Sequence, residues 1–347
     1  AVVNAGADAD GPVTLEIQVF DGDRGGVPAG SPQALALSPG QWAQATGILG
    51  PLGVRSGWVR VRRLSGAGTW LAYGVVVDGS SPGERTGDGS YVPMSTAEGG
   101  EITVTLPGGV PLVLVRIPAG TFQMGAPADE RGTSAVEQPV HTVTLTQDFY
   151  VGKYEVTQAQ WKAVMGTNPS LFAACGDACP VEQVTWDMVR GTDGFLAKLN
   201  ALLGTTKFRL PTEAEWERAA RGGTQTRFSF GDALDGDDAC GANDAAVPFE
   251  WWCGTSASSP HPVGTKKANA FGLFDVHGNV WEMVEDWLGA YPSADQTDPA
   301  GPTTGSVRAV RGGGWFQLLR STRSASRYLD SPELGYGVVG FRLARSK

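Results

Sequence analysis

The sequence predicts two domains, a small all-β sandwich followed by a larger, irregular α+β domain. Short segments of alternating polar and apolar residues, separated by Gly, Pro, Asp and Ser turns, fill the first quarter of the chain. Helical periodicity begins only later, in two short segments. With 347 residues the chain is long enough for two cores, and its 49 Gly and 11 Trp indicate a packed protein with many tight turns.

The first domain is predicted over residues 1–95, because its segments alternate with the two-residue period of strands. Residues 14–20 and 58–63 are examples, and DGD, SPG and SGAG turns separate such segments. The segment WLAYGVVVDGSSPGERTGDGSYVP at 70–93 resembles β-sandwich modules of bacterial secreted and surface proteins. That resemblance implies an immunoglobulin-like accessory domain that serves as a spacer or carrier.

Residues 96–110 are predicted to form a linker with room for one strand, and the second domain is predicted over residues 111–347. Strands are expected at residues 112–117 and 141–145. The sequence beyond residue 223 is rich in Gly, Ser and Asp, and no long helix or internal repeat is evident there.

Two helices of the second domain are predicted from their capping residues. Thr157 is a good N-cap for a helix with apolar residues on one face, and Gly166 ends that helix. Thr212 and Glu215 have the spacing of a capping box, in which each side chain satisfies a backbone amide of the other. The helix that they begin is expected to end at Gly222.

The charge balance opposes binding to nucleic acid and to anionic membranes. Lys and Arg total 27 against 36 Asp and Glu, a formal charge of −9, and the resulting long-range field repels phosphate. The sequence has no run of 18 apolar residues, so no membrane span is predicted. Residues 1–13 lack a charged and apolar leader, so an exported protein is expected here in its mature form.

Four cysteines form two local pairs, Cys175 with Cys179 and Cys240 with Cys253. Each pair brackets a turn-rich segment that a disulfide can close, and disulfides are the preferred interpretation. Zinc binding and free thiols are the alternatives, although this spacing does not match the usual zinc knuckles. Disulfides favour an oxidising compartment, so an extracellular or cell-surface location is expected.

Five motifs follow one another through the second domain. They are IPAGTFQMG at 117–125, YEVTQAQWKAVMGTNPSLF at 154–172, RLPTEAEWERAARGG at 209–223, NAFGLFDVHGNVWEMVEDW at 269–287, and RGGGW through GFRLA at 311–344. Their sequence and order resemble the formylglycine-generating-enzyme, or sulfatase-modifying-factor, family. The fold that this resemblance implies is an irregular α+β domain of the C-type lectin type.

The same resemblance argues against the enzymatic activity of that family. Its enzymes oxidise a substrate cysteine at a copper site formed by two thiolates, which are soft ligands and lie after the RGG motif. Residues 311–347 contain no cysteine, so no catalytic residue is predicted and neither copper nor iron is expected. His141, His261 and His277 are expected to have structural roles.

The segment 275–282 is similar to a calcium site of the family. The match implies side-chain ligands from Asp275 and Glu282 and backbone oxygens from Gly278 and Val280, which are the hard oxygen ligands that Ca²⁺ prefers. A calcium ion here would brace the loops rather than contact a ligand. The alternative is that the two carboxylates make hydrogen bonds that stabilise the turn.

The C-terminal segment contains chemically mixed side chains without helical or strand period. Phe, Leu and Tyr with few charges are typical of a protein-binding patch. The segment resembles the variable region of the target proteins of diversity-generating retroelements, which mutate template adenines. An Asn codon can change in this way to Phe, Leu, Tyr, Asp, Gly, Ser or Val, but not to Gln or Glu. The predicted ligand-binding residues are Phe316, Gln317, Leu318, Leu319, Ser321, Tyr328, Leu329, Asp330, Glu333, Leu334, Tyr336, Gly337 and Val338.

These observations predict a non-catalytic protein that binds a protein ligand through a C-terminal surface on a C-type lectin fold. The surface is hypervariable if a retroelement diversifies it; the alternative is an ordinary family member with its own loop sequence. A partner that anchors the protein at the cell surface is also expected. Two other functions compete, a divergent sulfatase-modifying oxidoreductase and a purely structural surface module. The oxidoreductase predicts copper or iron binding and turnover of a cysteine-containing peptide.

Overall fold

The computed structural model describes residues 100–232, 240–241 and 243–347, and the segments 2–5, 13–21, 27–38, 42–44, 57–65, 70–74 and 92–93 of the first 99 residues. The chain divides into two compact units, Ala1–Gly100 and Glu101–Lys347. All the site residues predicted from the sequence lie in the second unit.

The described part of the first unit consists almost entirely of strands, as the all-β prediction requires. The strands are β1 (Val2–Ala5), β2 (Val13–Asp21), β3 (Val27–Leu37), β4 (Trp42–Gln44), β5 (Gly57–Ser65), β6 (Trp70–Gly74) and β7 (Val92–Pro93). They form two antiparallel sheets with the orders β4-β1-β6-β7 and β3-β2-β5. Residues 75–91, which carry much of the resemblance to surface modules, lie outside the described residues.

The second unit has many short strands. They are β8 (Glu101–Leu106), β9 (Val110–Ile117), β10 (Gly120–Met124), β11 (His141–Leu145), β12 (Phe149–Gly152), β13 (Phe208–Arg209), β14 (Trp281–Trp287), β15 (Gln296–Thr297), β16 (Arg308–Arg311), β17 (Arg327–Asp330), β18 (Val339–Phe341) and β19 (Ala344–Ser346). Three sheets result, with the orders β13-β19-β12-β9-β8, β17-β16-β14-β18 and β10-β11-β15. Strand β17, which carries part of the predicted binding set, is therefore an edge strand.

Strand β8 lies within the segment that the sequence predicts as a linker. It pairs antiparallel with β9 along its whole length, from Glu101 opposite Val115 to Leu106 opposite Val110. Leu106 is buried in the core of the second unit. The linker's single strand thus belongs to the second unit.

The described residues of the second unit form four α-helices, α1 (Gln158–Met165), α2 (Trp186–Arg190), α3 (Phe195–Leu202) and α4 (Glu213–Arg221). Both predicted caps are confirmed: Thr157 and Thr212 each accept a hydrogen bond from the third amide of their helix, and capping boxes are complete at both. Helices α1 and α4 end at Gly166 and Gly222, at φ of 76° and 59°, which favours glycine. In the described part of the chain, no helix is long and apolar enough to cross a membrane.

Two hydrophobic clusters hold the second unit together. In the first, Trp161 of α1 stacks on Phe195 of α3 at 5.2 Å and meets Phe341 of β18 edge-on at 6.2 Å. In the second, Trp216 of α4 packs with apolar residues of β9 to β12. Because β16 contributes Ala309 and Val310 and β18 contributes Val339 and Phe341 to these cores, the C-terminal segment between β16 and β18 is anchored at both ends.

Candidate ligand-binding surface

Buried arginines fix the irregular C-terminal segment. Their guanidinium groups donate to carboxylates at 2.5 to 2.9 Å, and the pairs are Arg311 with Glu217, Arg323 with Glu137, Arg327 with Glu213, and Arg342 with Glu282. All except the first pair are engaged through two nitrogens, a geometry that fixes orientation as well as position. Removing one partner of a buried pair costs about 3–5 kcal/mol, so these pairs determine where the surrounding backbone lies.

Glu217 of α4 is the centre of this framework. Burial alone would raise its pKa, but the Arg221 and Arg311 guanidinium groups hold the pKa of Glu217 below its usual value. Its carboxylate also accepts the Gly125 amide at 2.9 Å. Glu217 is therefore ionised at neutral pH and joins the β10 end, α4 and the start of the C-terminal segment.

Five large apolar side chains of the predicted binding set are about half exposed, Leu329 and four others. Phe316 is 47% exposed, Tyr328 56%, Leu334 51% and Tyr336 42%. Burying such a side chain stabilises a protein by roughly 1.5–3 kcal/mol. At these four positions the folded unit lacks much of this stabilisation, because the side chains stay half exposed. Exposed apolar side chains that cluster mark interaction sites, whereas scattered ones need no explanation.

Phe316 and Tyr328 are each linked to residues 337–338 through a tryptophan. Trp315 Nε1 donates to the Gly337 carbonyl at 3.2 Å, and the Trp315 ring lies 5.5 Å from the Phe316 ring. The Trp281 amide donates to the Val338 carbonyl at 2.8 Å, and the Trp281 ring stacks on the Tyr328 ring at 5.7 Å. The two aromatic groups therefore flank the same backbone segment.

Leu171 adds to this surface and was missed by sequence reasoning. It is 65% exposed, and its Cδ2 would lie 2.7 Å from a Cβ placed on Gly337, so it packs directly over that glycine. The buried Glu182 carboxylate accepts the amides of Leu171 and the next residue at 3.1 and 2.8 Å, and the Gln183 amide donates to Tyr336 O at 2.9 Å. We call Leu171, Phe316, Tyr328, Leu334 and Tyr336 the ligand surface.

Two members of the predicted set are buried and are removed from it. Leu319 has no exposed surface and packs against Phe228 and Trp252. Asp330 is 2% exposed, and burial raises its pKa to about 7. A buried side chain does not contact a ligand, so the sequence prediction was wrong at these two positions.

The other predicted residues lie around the ligand surface. Leu329 is 50% exposed, but it alternates with Tyr328 along β17 and so faces the opposite side of the sheet. Glu333 is exposed, and the partly buried residues are Gln317, Leu318, Ser321, Gly337 and Val338.

Both predicted disulfides are present, Cys175–Cys179 and Cys240–Cys253. Among the described residues no cysteine is free. The Cys253 amide donates to Gln317 O at 3.0 Å. The second disulfide therefore closes a loop that supports the backbone next to Phe316.

His277 illustrates the structural use of the histidines. Its Nδ1 lies 2.7 Å from Thr322 O, and its Nε2 accepts the Ser229 amide at 3.0 Å. A carbonyl can only accept, so the ring carries its proton on Nδ1. Burial lowers the pKa of His277 to about 4, and the neutral ring thus joins two loops as a fixed donor and acceptor.

The predicted calcium ligands lie in a buried and acidic region. Asp275 Oδ2 accepts the Gly264 amide at 2.7 Å, whereas Oδ1 is buried without a hydrogen-bond partner among the described residues. The Glu282 carboxylate is held by Arg342 and by Trp216 Nε1, each at 2.6 Å. The third carboxylate is Glu155.

These three carboxylates face one guanidinium group. Burial, and then the charges of Asp275 and Glu282, raise the pKa of Glu155 well above its usual value. Its oxygens accept the Asn279 side-chain amide at 2.6 Å and the Val280 amide at 3.1 Å. One Asp275 oxygen is free, but Glu282 is held by Arg342 and Trp216, and among the described residues no group of three or more His, Cys, Asp or Glu is arranged to hold a metal ion.

Comparisons with known proteins agree with this architecture. Residues 111–347 match the family model described as the sulfatase-modifying factor enzyme 1-like domain. The chaperone protein LppX of Paenibacillus barcinonensis is 31% identical over 272 residues, which cover 67% of this chain and 89% of that protein. The formylglycine-generating enzyme of Streptomyces coelicolor is 30% identical over 277 residues, covering 66% and 88%.

A solved structure, that of Treponema denticola variable protein 1, is also similar. It matches with a TM-score of 0.62 and 30% identity, over 71% of this chain and 99% of that one. The prediction of a resemblance to variable proteins is thereby confirmed. The chain belongs to the sulfatase-modifying factor enzyme 1-like domain family, and its second unit has the formylglycine-generating-enzyme-like C-type lectin fold.

Proposed function

We propose that this chain is a non-catalytic protein that binds a protein ligand through the ligand surface. The observation that carries the proposal is the group of five apolar side chains, each 42 to 65% exposed, on backbone that buried ion pairs hold in place. Aromatic and leucine side chains on a rigid support are the usual energetic centre of a protein interface. Similarity to a variable protein supports a binding role.

The cysteines support the absence of the family's oxidase chemistry. All four form disulfides, and none lies in the segment 311–347 that would supply the copper-binding thiolates. A disulfide sulfur is not a thiolate and does not provide the soft anionic ligand that Cu(I) needs. The two disulfides also support an extracellular or cell-surface location, where a partner would anchor the protein.

Binding is tested on an array of recombinant extracellular proteins, with the chain labelled as probe. A saturable ligand is expected, and Tyr336→Ala should weaken its binding by about 2 kcal/mol, or roughly 30-fold. Leu334→Ala and Leu202→Ala form a matched pair, since these leucines are 51% and 49% exposed but Leu202 lies on α3 outside the ligand surface. Equal effects of the two leucine changes would contradict the proposal, as would binding that survives alanine at all five positions.

The competing enzymatic function is tested with Cu(I) and a cysteine-containing peptide. We expect no tight copper binding and no oxygen consumption or aldehyde formation. Turnover above the rate of free copper, lost after mutation of residues in 311–347, would replace the binding proposal with a divergent oxidoreductase.

We also propose that the C-terminal segment is diversified by a retroelement. Sequencing the 3′ end of the gene and its flanks in many isolates should reveal a near-copy that differs from residues 311–344 only at adenines. The differing codons should include those of Phe316, Tyr328, Leu334 and Tyr336 and spare those of the buried arginines. Uniform sequence without such a copy would leave a binder of fixed specificity.

We further propose that Ca²⁺ is held by Asp275 and Glu282 together with backbone oxygens of Gly278 and Val280. A bound calcium ion would neutralise the buried carboxylates and brace the loops. A ligand at a hundred times its dissociation constant stabilises the folded state by about 2.7 kcal/mol. Thermal unfolding with calcium or with a chelator measures this. The midpoint temperature of unfolding should fall on chelation in the native protein and in Asp177→Ala, a control at an exposed aspartate. It should not fall on chelation in Asp275→Ala. No change in the native protein would refute the site.

A further inference from the structure

A cavity of about 270 Å³ lies apart from the ligand surface in the second unit. It opens between the paired strands β10 and β11, the first turn of α4 and the loop 289–302, and none of its lining residues belongs to the ligand surface. Met124, Tyr291, Pro292 and Pro302 form much of its wall. Small-molecule sites have volumes of about 300–1,000 Å³, so this cavity suits a ligand at the small end of that range.

The cavity presents two hydrogen-bond acceptors. His141 is 5% exposed, and its Nδ1 lies 3.1 Å from the Pro139 carbonyl. A carbonyl only accepts, so Nδ1 carries a proton, and in the neutral form of the ring Nε2 is a hydrogen-bond acceptor. Asp286, at the end of β14, is 4% exposed and accepts the Glu213 amide through Oδ2 at 2.7 Å.

The basic groups around the cavity are committed to other partners. Arg327 lines it but donates twice to Glu213, at 2.6 and 2.7 Å, and Arg311 donates to Glu217. Arg308 lies between two tryptophan rings, at 3.7 and 3.4 Å, and donates to the Glu285 carbonyl.

Among the described residues Asp286 thus lacks a direct ion pair, although the positive charge of Arg308 lies near enough to interact with it. No Lys or Arg in the described part of the chain forms an ion pair with it, while Glu213, Glu215 and Glu285 add negative charge nearby. Burial, and then the charge of Glu213, raise the pKa of Asp286 to about 8. The cavity thus contains a carboxyl group that a cationic ligand would ionise, because a buried carboxylate needs a positive partner.

We propose that this cavity binds a small organic ammonium ion, with Asp286 as its counter-ion and His141 Nε2 as a hydrogen-bond acceptor. The alkyl part of such a ligand would pack against Met124, Tyr291 and the proline rings. On binding, Asp286 releases one proton to solvent, and the ammonium group supplies a positive charge that pairs with the Asp286 carboxylate. The ligand class follows from the Asp286 carboxyl group in a largely apolar wall, because a cation stabilises its ionised form, whereas a neutral or anionic molecule leaves Asp286 protonated.

The test compares n-butylammonium with n-butanol, its neutral counterpart, by calorimetric titration of the full chain. We expect butylammonium to bind at least tenfold more tightly than butanol at pH 8.5. Its affinity should fall about tenfold per pH unit below pH 8, because Asp286 must then lose a proton. Equal affinity for the two molecules, or no binding of butylammonium at millimolar concentration, would overturn the proposal.

Asp286→Asn isolates the counter-ion. The amide oxygen of Asn still accepts the Glu213 amide, so the start of α4 is retained while the charge is lost. Butylammonium affinity should fall at least tenfold in this variant and lose its pH dependence, whereas Asp177→Asn, at an exposed aspartate, should match the native protein. An unchanged affinity in Asp286→Asn would refute the assignment. The comparison of the two ligands needs no variant, so it stands even if Asp286→Asn does not fold.

Discussion

The buried carboxyl group of Glu250 predicts an unusual pH dependence of stability. Glu250 has no exposed surface, and neither carboxyl oxygen has a hydrogen-bond partner among the described residues. Thr322 lies nearby, but its hydroxyl group donates to Leu319 O at 2.8 Å. Burial raises the pKa of Glu250 to about 8, against the opposing effects of Thr322 and Lys266.

The sign and size of the effect follow from proton linkage. Between the ordinary glutamate pKa of 4.5 and about 8, the folded state holds a proton that the unfolded state has lost. Folded protein therefore binds more protons, and the free energy of unfolding falls as pH rises through this window. One group contributes about 1.4 kcal/mol per pH unit, with an upper limit of roughly 5 kcal/mol over the window.

The assay measures the free energy of unfolding of the second unit in urea, at several pH values between 5 and 8.5, for the native chain and for Glu250→Gln. Gln keeps the size of the side chain and removes the ionisable proton, so its slope against pH should be shallower by about 1.4 kcal/mol per unit. Glu333→Gln is the matched control, because Glu333 is exposed. Identical slopes for native protein and Glu250→Gln would refute the reasoning, since other buried acids such as Asp286 are unchanged in both.

Four further changes have defined outcomes. Thr212→Ala removes the cap of α4 and should lower the free energy of unfolding by about 1 kcal/mol in urea. Glu217→Gln leaves two buried guanidinium groups without their shared carboxylate and should cost about 3–5 kcal/mol, measured in the same way. Gly337→Leu displaces the leucine that packs on it, so ligand affinity should fall while the melting temperature changes little. Changing Cys240 and Cys253 to Ser removes the disulfide that joins two residues 13 positions apart. The free energy of unfolding, measured by thermal unfolding, should fall by roughly 3 kcal/mol.

Local signals made helices α1 and α4 predictable from the sequence. A Thr cap with Gln or Glu three residues later, and a terminal glycine, specify a helix through contacts within one short segment. Helix α2 has five residues, which is too short for a periodic pattern to show. Helix α3 follows Gly194 as its N-cap and has no side-chain cap, so the Thr185 cap of α2 was the only local signal for these two helices.

The ligand surface was predictable only in part. The segment 316–338 has no period, so the sequence could not separate the buried Leu319 and Asp330 from their exposed neighbours. Leu171 lies far away in the chain, and its exposure depends on Glu182 holding the backbone amides. Nothing near Leu171 in the sequence signals that long-range contact.

The structure separates the residues that hold the C-terminal segment from those that face solvent. Arg323 and Arg327 are 1% and 5% exposed and bind carboxylates outside the segment, whereas Tyr328, next in the chain, is 56% exposed. Backbone position is thus set by buried ion pairs, each worth several kcal/mol when broken, and not by the exposed side chains. Changing an exposed side chain alters the chemistry of the surface and leaves these pairs intact. A C-terminal segment built in this way can vary at its surface positions and still fold.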